Sequence, residues 1–145
     1  MKKVTVGVVG FGNVGAGVIK ILRDRKGYLA AKTGIEIVVK KICDKDITSK
    51  RNVSVDKTLL TKDIHEILDD PQIDILVELM GGVNPAKDFI TQALLKGKHI
   101  VTANKALLAE QGRELFTLAQ DRDKSIYFEA SVGAGIPILK SLREG

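Results

Sequence analysis

The sequence predicts an α/β fold in which a doubly wound, mainly parallel sheet carries helices on both faces. Apolar runs alternate with segments of helical period, which is typical of βα units around a parallel sheet. A glycine-rich turn, Gly10–Gly15, joins the first run to the first helical segment. The chain has 145 residues, of which 44% are hydrophobic, and this is enough for one core of ordinary size. We therefore expect one domain over residues 1–145.

Five apolar runs have the length and composition of buried strands. They are Val4–Val9, Glu36–Cys43, Asp74–Leu79, His99–Thr102 and Ser125–Glu129. Each is far shorter than the ~20 apolar residues that cross a bilayer. We expect these runs to form the sheet and no membrane span.

Helical periodicity predicts the segments that connect these strands. They are Val14–Arg25, Lys62–Asp69, Pro85–Lys96, Lys105–Gln120 and a last helix that begins near Pro137. The third has the clearest ends, because Asn84 can cap it, Pro85 can take its first position and Gly97 follows it. The charged, weakly periodic span Lys45–Thr58 is predicted to be a loop.

The Gly10–Gly15 turn predicts a dinucleotide site of the Rossmann type. A Cβ at Gly12 would block a pyrophosphate, and one at Gly15 would push the helix off the strand. The helix start offers free N–H groups and a positive dipole end to phosphates. The alternative is an ordinary glycine-rich connection. The predicted phosphate-binding residues are Gly10, Phe11, Gly12, Asn13, Val14 and Gly15.

Charged residues of both signs follow the second strand. Asp44 could accept hydrogen bonds from the adenosine ribose, which favours NAD. Lys45, with Lys50 or Arg51, could pair with a 2′-phosphate, which favours NADP. A solvated charged loop is the alternative for the cations.

The ends of the third and fourth strands also carry candidate site residues. Gly81 and Gly82 would let the backbone approach a cofactor closely, and a buried Glu78 would need a partner or would point into the crevice. The alternative is a turn at the strand end with an exposed carboxylate at its rim. Asn104 can cap the following helix and so place Lys105 at the mouth of the crevice. There the Lys105 ammonium could bind a substrate oxygen or the nicotinamide ribose, whereas a solvated lysine is the alternative.

The segment Tyr127–Pro137 follows the fifth strand and is rich in small residues. Such a loop can turn backbone carbonyls inward, which suits a hard cation such as Na⁺. It can also leave room for a nicotinamide ring. The alternative is a tight strand-to-helix connection that ends at Pro137.

Composition excludes several other classes of protein. The net charge is +5, but the lysines are scattered and aromatic residues make up only 4%, so nucleic-acid binding is not expected. His65 and His99 lie in no Cys/His cluster, so no zinc site is expected. The one cysteine, Cys43, fits a reducing compartment, and with no export signal the sequence predicts a cytoplasmic protein.

Four segments together resemble the amino-terminal NAD(P)-binding domain of homoserine dehydrogenase. They are Gly10–Gly15, Glu78–Gly82, Thr102–Ala109 and Tyr127–Pro137. The resemblance spans nearly the whole chain. It implies an oxidoreductase that interconverts L-homoserine and L-aspartate 4-semialdehyde with NADP or NAD, a step toward threonine, methionine and isoleucine.

The resemblance also implies roles for individual residues. Lys105 would be the lysine at the reaction site, in contact with both cofactor and substrate. Lys45 lies where many members have an arginine beside the adenosine ribose, so NADP use is expected alongside NAD. The cofactor-binding candidates at the later strand ends are Gly81, Thr102 and Lys105. Backbone oxygens of four residues would hold a monovalent cation: Glu129, Val132, Ala134 and Ile136.

Homoserine dehydrogenases continue into a substrate and dimerisation domain, which carries a second active-site lysine and the acidic residues that hold the amino acid. We expect this chain to be the cofactor domain alone, able to bind the dinucleotide without turnover, and the complete enzyme to be a homodimer. One alternative is a stand-alone NAD(P)-binding or redox-sensing module. Another is the cofactor domain of a different amino-acid dehydrogenase, such as aspartate dehydrogenase, although Thr102–Ala109 argues against it.

Overall fold

The protein, in a computed structural model that describes residues 1–133 and 135–144, contains a six-stranded sheet. All neighbouring strands are parallel, and their order is β3-β2-β1-β4-β5-β6. The order reverses between β1 and β4, and ligands of such sheets bind beyond the carboxyl ends of the strands at that point. The predicted fold class is confirmed. The strands are β1 Lys2–Val9, β2 Ile35–Cys43, β3 Leu60–Thr61, β4 Ile75–Glu78, β5 His99–Thr102 and β6 Ile126–Tyr127.

Helices cover both faces of the sheet. None of the described helices is long and apolar enough to cross a membrane. Short 3-10 turns cover Lys57–Leu59 and Glu129–Ser131. The helices are α1 Asn13–Asp24, α2 Lys26–Thr33, α3 His65–Leu68, α4 Ala86–Leu95, α5 Lys105–Asp121 and α6 Ile138–Glu144.

The apolar core is divided between the two faces of the sheet. Val9 packs in the cluster that contains Ile90 of α4 and Leu115 of α5. Its neighbour Val8 packs in the cluster that contains Ile19 of α1. Successive strand residues point to opposite faces, so a strand covered on both sides is apolar at nearly every position. This is why β1 was recognisable as a continuous apolar run.

Two elements, α2 and β3, were not predicted from the sequence. No residue of α2 is buried, so it has no apolar stripe from which a helical period could be detected. It ends at Gly34, whose φ of +70° is a left-handed helix cap. The strand β3 has only two residues and pairs with the end of β2.

Several predicted boundaries are wrong by a few residues. Asn84 does not cap α4, which begins at Ala86 and directly follows Pro85, whose carbonyl accepts a bond from the Phe89 N–H at 3.1 Å. Pro85 is therefore the capping residue, without a side-chain cap. The segment predicted over Lys62–Asp69 is helical only from His65 to Leu68, and the His65 N–H donates to the Asp63 side chain at 2.9 Å. The last strand ends at Tyr127, where the chain turns into the 3-10 turn.

Lys98 lies at the amino end of β5, opposite the predicted site, and is only 2% exposed. Its Nζ donates to the carbonyl oxygens of Asp70 at 2.6 Å and Ile73 at 3.0 Å. Burial lowers the pKa of this lysine, while nearby Asp70 opposes that shift. The ammonium therefore satisfies two carbonyls of the connection between α3 and β4.

Candidate nucleotide-binding site

Gly10 and Gly15 bring the end of β1 against the start of α1. Gly10 has a φ of +98°, and a Cβ there would lie 2.6 Å from the carbonyl oxygen of Leu79. A Cβ at Gly15 would lie 2.0 Å from the carbonyl oxygen of Gly10. Both separations are well below van der Waals contact, so any side chain at either position would force the turn apart. The sharp strand-to-helix turn therefore depends on these two glycines.

Gly12 precedes α1, and the space beside it is free of protein atoms. Apart from the two adjacent residues, no heavy atom of the described part of the chain lies within 4 Å of a Cβ built there. The first N–H groups of α1 have no partners within the helix, and its first turn carries no acidic residue. This end of the helix is therefore positive and suits a phosphate. A phosphate bound there would occupy the space that a side chain at Gly12 would otherwise take.

A cavity of about 410 Å³ opens at this edge of the sheet. It brings together residues from the ends of four strands, among them Gly10, Gly12, Asp44, Lys45, Lys62 and Gly81. Its wall does not include Arg51, Thr102 or Lys105. The cavity therefore joins the glycine turn to the end of β2, which is the adenosine side of a dinucleotide site, and extends to the turn after β4, where Met80 and Gly81 line it.

Asp44 links the glycine turn to the loop after β2. Its Oδ2 accepts a hydrogen bond from the Phe11 N–H at 2.5 Å, and its Oδ1 accepts one from the Asp46 N–H at 2.8 Å. The Gly10 N–H donates to the carbonyl oxygen of Cys43 at 2.9 Å. Each carboxylate oxygen retains a lone pair, so Asp44 can still accept a bond from a ribose hydroxyl.

Arg51 is turned toward its own loop rather than toward the cavity. Its Nη2 donates to the Asp46 carbonyl at 3.0 Å and to the Asp46 carboxylate at 3.3 Å. The guanidinium carbon lies 5.7 Å from the centroid of the buried Phe11 ring. Its Nε is buried without a hydrogen-bond partner in the described part of the chain. In this arrangement Arg51 stabilises the loop and the ring beneath the glycine turn.

Lys45 and Lys62 are the cations in the cavity wall. Both side chains are exposed, and Lys50 is exposed outside the wall. Sequence reasoning missed Lys62, because it follows β3, which is too short to detect. Its position depends on the pairing of β3 with the end of β2. Two ammonium groups beside one cavity can share a phosphate dianion.

Glu78 ends β4 and has no exposed surface. Its Oε1 accepts a bond from the Met80 N–H at 2.7 Å, and its Oε2 accepts one from the Thr102 hydroxyl at 2.6 Å. Burial raises the pKa of this carboxyl, and the two hydrogen bonds oppose the shift. The expectation that a buried Glu78 would need a partner is thereby met.

Asn104 caps α5 as predicted. Its Oδ1 accepts a bond from the Leu107 N–H at 3.1 Å, and its Nδ2 donates to the carbonyl of Gly82 at 2.6 Å. Lys105 is the first residue of α5 and is exposed. The bond to Gly82 connects this helix start to the turn that follows β4, so Lys105 lies on the β4–β5 side of the crevice.

The segment after β6 contains the predicted cation ligands. The carbonyl of Glu129 accepts a bond from the Val132 N–H at 3.3 Å, and that of Ile136 accepts one from the Ile138 N–H at 2.8 Å. The Glu129 side chain accepts a bond from the Leu139 N–H at 3.0 Å and so contacts α6. Ala134 lies outside the described residues. The Na⁺ site therefore stays a prediction.

The strand order, the glycine turn after β1 and the open space at the start of α1 define a dinucleotide-binding domain of the Rossmann type. A family model described as "Homoserine dehydrogenase, NAD binding domain" matches residues 10–129. The chain belongs to this family, as the sequence resemblance indicated.

Individual relatives agree with this assignment. The homoserine dehydrogenase of Bacillus subtilis is 44% identical over 145 residues, which are 100% of this chain and 34% of that protein. The crystal structure of a homoserine dehydrogenase from Thiobacillus denitrificans matches with a TM-score of 0.89 and 41% identity, over 100% of this chain and 33% of that one. A hyperthermophilic archaeal homoserine dehydrogenase in complex with NADPH matches with a TM-score of 0.78 and 26% identity, over 99% and 49%. The chain thus spans about one third of the length of the curated relatives it matches.

Proposed function

We propose that this chain binds NADP or NAD as the cofactor domain of a homoserine dehydrogenase that interconverts L-homoserine and L-aspartate 4-semialdehyde. The observation that carries the proposal is the open space at Gly12, which lies between the positive end of α1 and a cavity with two lysines in its wall. When the pyrophosphate binds at this point, the adenosine lies toward β2 and the nicotinamide toward β4 and β5.

On the adenosine side, the geometry favours NADP at least as much as NAD. Lys45 and Lys62 face the cavity, and each can donate to a 2′-phosphate. The Asp44 carboxylate already accepts two backbone bonds, which hold it in place and compensate part of its charge. A ribose hydroxyl can still bind Asp44, so NAD is not rejected.

On the reaction side, the cofactor when bound exchanges a hydride with the carbon that is aldehyde in one substrate and alcohol in the other. Lys105 donates a hydrogen bond to the oxygen on that carbon, where negative charge develops as the hydride arrives. Gly81 and Thr102 lie at the strand ends that flank the nicotinamide. The carbonyls of Glu129, Val132 and Ile136, together with Ala134, provide the cation ligands of this proposal.

The complete enzyme is proposed to be a cytoplasmic homodimer that takes part in the synthesis of threonine, methionine and isoleucine. Support comes from the family assignment and from the one cysteine, Cys43, which is buried and whose pKa burial raises to about 11. Such a thiol is unreactive and needs no partner.

Calorimetric titration of the chain with NADP and NAD tests the assignment. We expect both to bind, and Lys45→Ala to weaken NADP by about 10-fold, the usual scale for a charge-assisted bond, with little effect on NAD. Lys62→Ala should act in the same direction. The matched control is Lys32→Ala, because Lys32 is exposed on α2, which leads into the opposite end of β2.

An unchanged ratio of NADP to NAD affinity in both cavity variants would show that these lysines are merely solvated. Failure of the unaltered chain to bind either dinucleotide would overturn the proposed function itself.

A further inference from the structure

The Glu78 carboxylate is the centre of a buried hydrogen-bond network between β4 and β5. Glu78 accepts bonds from Met80 in the next turn and from Thr102 on the neighbouring strand. The Thr102 hydroxyl in turn accepts a bond from the Asn104 N–H at 3.0 Å. Glu78, Thr102 and Asn104 are each at most 5% exposed.

The same network reaches the segments that surround the nicotinamide side of the crevice. Asn104 binds the carbonyl of Gly82 and caps α5, where Lys105 is the next residue. The Ser131 hydroxyl donates to the Thr102 carbonyl at 3.0 Å, and this bond connects the 3-10 turn after β6 to the end of β5. The Gly82 turn and the start of α5 are thus connected to Glu78 through Thr102 and Asn104, whereas the 3-10 turn is bonded to the main chain of Thr102.

A carboxylate at this position is costly to bury. No cation forms a salt bridge with Glu78 within the described ranges, so only hydrogen bonds compensate its desolvation. An apolar residue would continue the strand without that cost, as Val77 does beside it. The presence of a carboxylate here is therefore explained by the Met80 N–H and the Thr102 hydroxyl, which its two oxygens hold in place.

We propose that Glu78 is a positioning residue, which sets the Gly81–Gly82 turn and the start of α5, and with it Lys105, for the nicotinamide half of the cofactor. This inference rests on the proposed function. Its contacts run toward β5 and the turn after β4, whereas the adenosine half is bound at the end of β2. Substitution of Glu78 should therefore weaken binding of the nicotinamide half of the cofactor and leave binding of the adenosine half unchanged.

Two ligands distinguish positioning from general stability: NADPH, and adenosine 2′,5′-bisphosphate, which lacks the whole nicotinamide half, including its ribose. Glu78→Gln retains the shape and one acceptor, but it offers an amide N–H where the Thr102 hydroxyl now donates. We expect this variant to bind NADPH about 5-fold more weakly, the scale of one lost buried hydrogen bond, with the affinity for adenosine 2′,5′-bisphosphate unchanged within about 2-fold.

A second pair of variants tests the same network without altering a charge. Thr102→Val should reproduce the selective loss, and Thr102→Ser should restore binding because it retains the hydroxyl. The matched control is Glu66→Gln, since Glu66 also accepts from a threonine, Thr61, but is exposed on α3 outside the cavity wall. It should change neither affinity.

Equal weakening of both ligands by Glu78→Gln and Thr102→Val would assign the network to folding alone and overturn the inference, as would no weakening of either. If Glu78→Gln does not fold, as judged by circular dichroism, the Thr102 pair decides. A chain that binds neither ligand before substitution contradicts the proposed function, and that result is distinct from a selective loss in the variants.

Discussion

At the scale of single residues, Gly12 and Gly15 show how the same residue type serves two different purposes. The Cβ position of Gly15 is filled by the Gly10 carbonyl, whereas that of Gly12 meets no atom within 4 Å from any described residue other than its chain neighbours. Gly15 is therefore needed for the turn to fold. Gly12 is needed only if something else occupies the space beside it.

This contrast predicts opposite outcomes for two equivalent substitutions. Gly12→Val should leave the free energy of unfolding within about 1 kcal/mol of the parent, because the site is open, but lower NADP affinity at least about 100-fold by filling the phosphate space. Gly15→Val should cost about 3 kcal/mol or more, because backbone must move. Urea unfolding and calorimetry measure both quantities. Normal NADP affinity in folded Gly12→Val would show that the phosphate does not bind there.

The part that Gly10 and Gly15 play in the turn was predictable from the sequence, since their spacing places them between a strand and a helix. The roles of Arg51 and Lys62 were not. Arg51 looked like a phosphate ligand by its position, yet its guanidinium is bonded to Asp46. Lys62 enters the cavity wall through the fold. Where a long cation points depends on neighbours that a sequence does not show.

At the scale of elements, α5 and α4 show when a helix start can be read from sequence. The Asn104 side chain caps α5 in the expected way, by accepting from the Leu107 N–H. For α4 the cap moves one residue to Pro85. The elements missed entirely, α2 and β3, lack the period or the length that a pattern needs. Apolar periodicity reflects which residues of an element are buried, so an element with few buried residues cannot be detected from it.

Asn104→Ala should destabilise the protein by about 2 kcal/mol, because it removes the α5 cap and leaves the Gly82 carbonyl without its donor. Asn104→Ser is the matched control, since serine can cap the helix but cannot reach Gly82, and about half of the loss should return. Urea unfolding of the three proteins measures the differences. An equal loss in both variants would mean that the cap contributes nothing to stability.

At the scale of the whole molecule, the sequence predicted a parallel sheet but not the order of its strands. The order β3-β2-β1-β4-β5-β6 places β2 and β3 on one side of β1, and β4, β5 and β6 on the other. It brings the loops after β1, β2 and β4 to one edge, where the cavity lies. Candidate residues that are scattered along the chain become one site through this topology.

We expect the 145-residue chain to bind NADP without oxidising homoserine. Cofactor binding uses strand ends and glycine turns that this chain contains, whereas the chain spans about one third of the length of its curated relatives. Without groups that orient the substrate, the reaction loses effective molarity worth about 7 kcal/mol or more. A spectrophotometric assay of NADPH formation measures this, with a complete homoserine dehydrogenase as positive control. Robust turnover by the chain would show that its active site is already complete.

Lys98 has a consequence for the protein's chemistry toward amine-directed reagents. Acylating, methylating and cross-linking reagents react with accessible lysine amines, and Lys45 and Lys105 are exposed on the surface. The Lys98 amine is enclosed, with two carbonyl oxygens as its partners. Modification of Lys98 therefore requires local opening of the connection between α3 and β4. Labelling of Lys98 thus reports whether the structure at the amino ends of the strands, opposite the cofactor site, is intact.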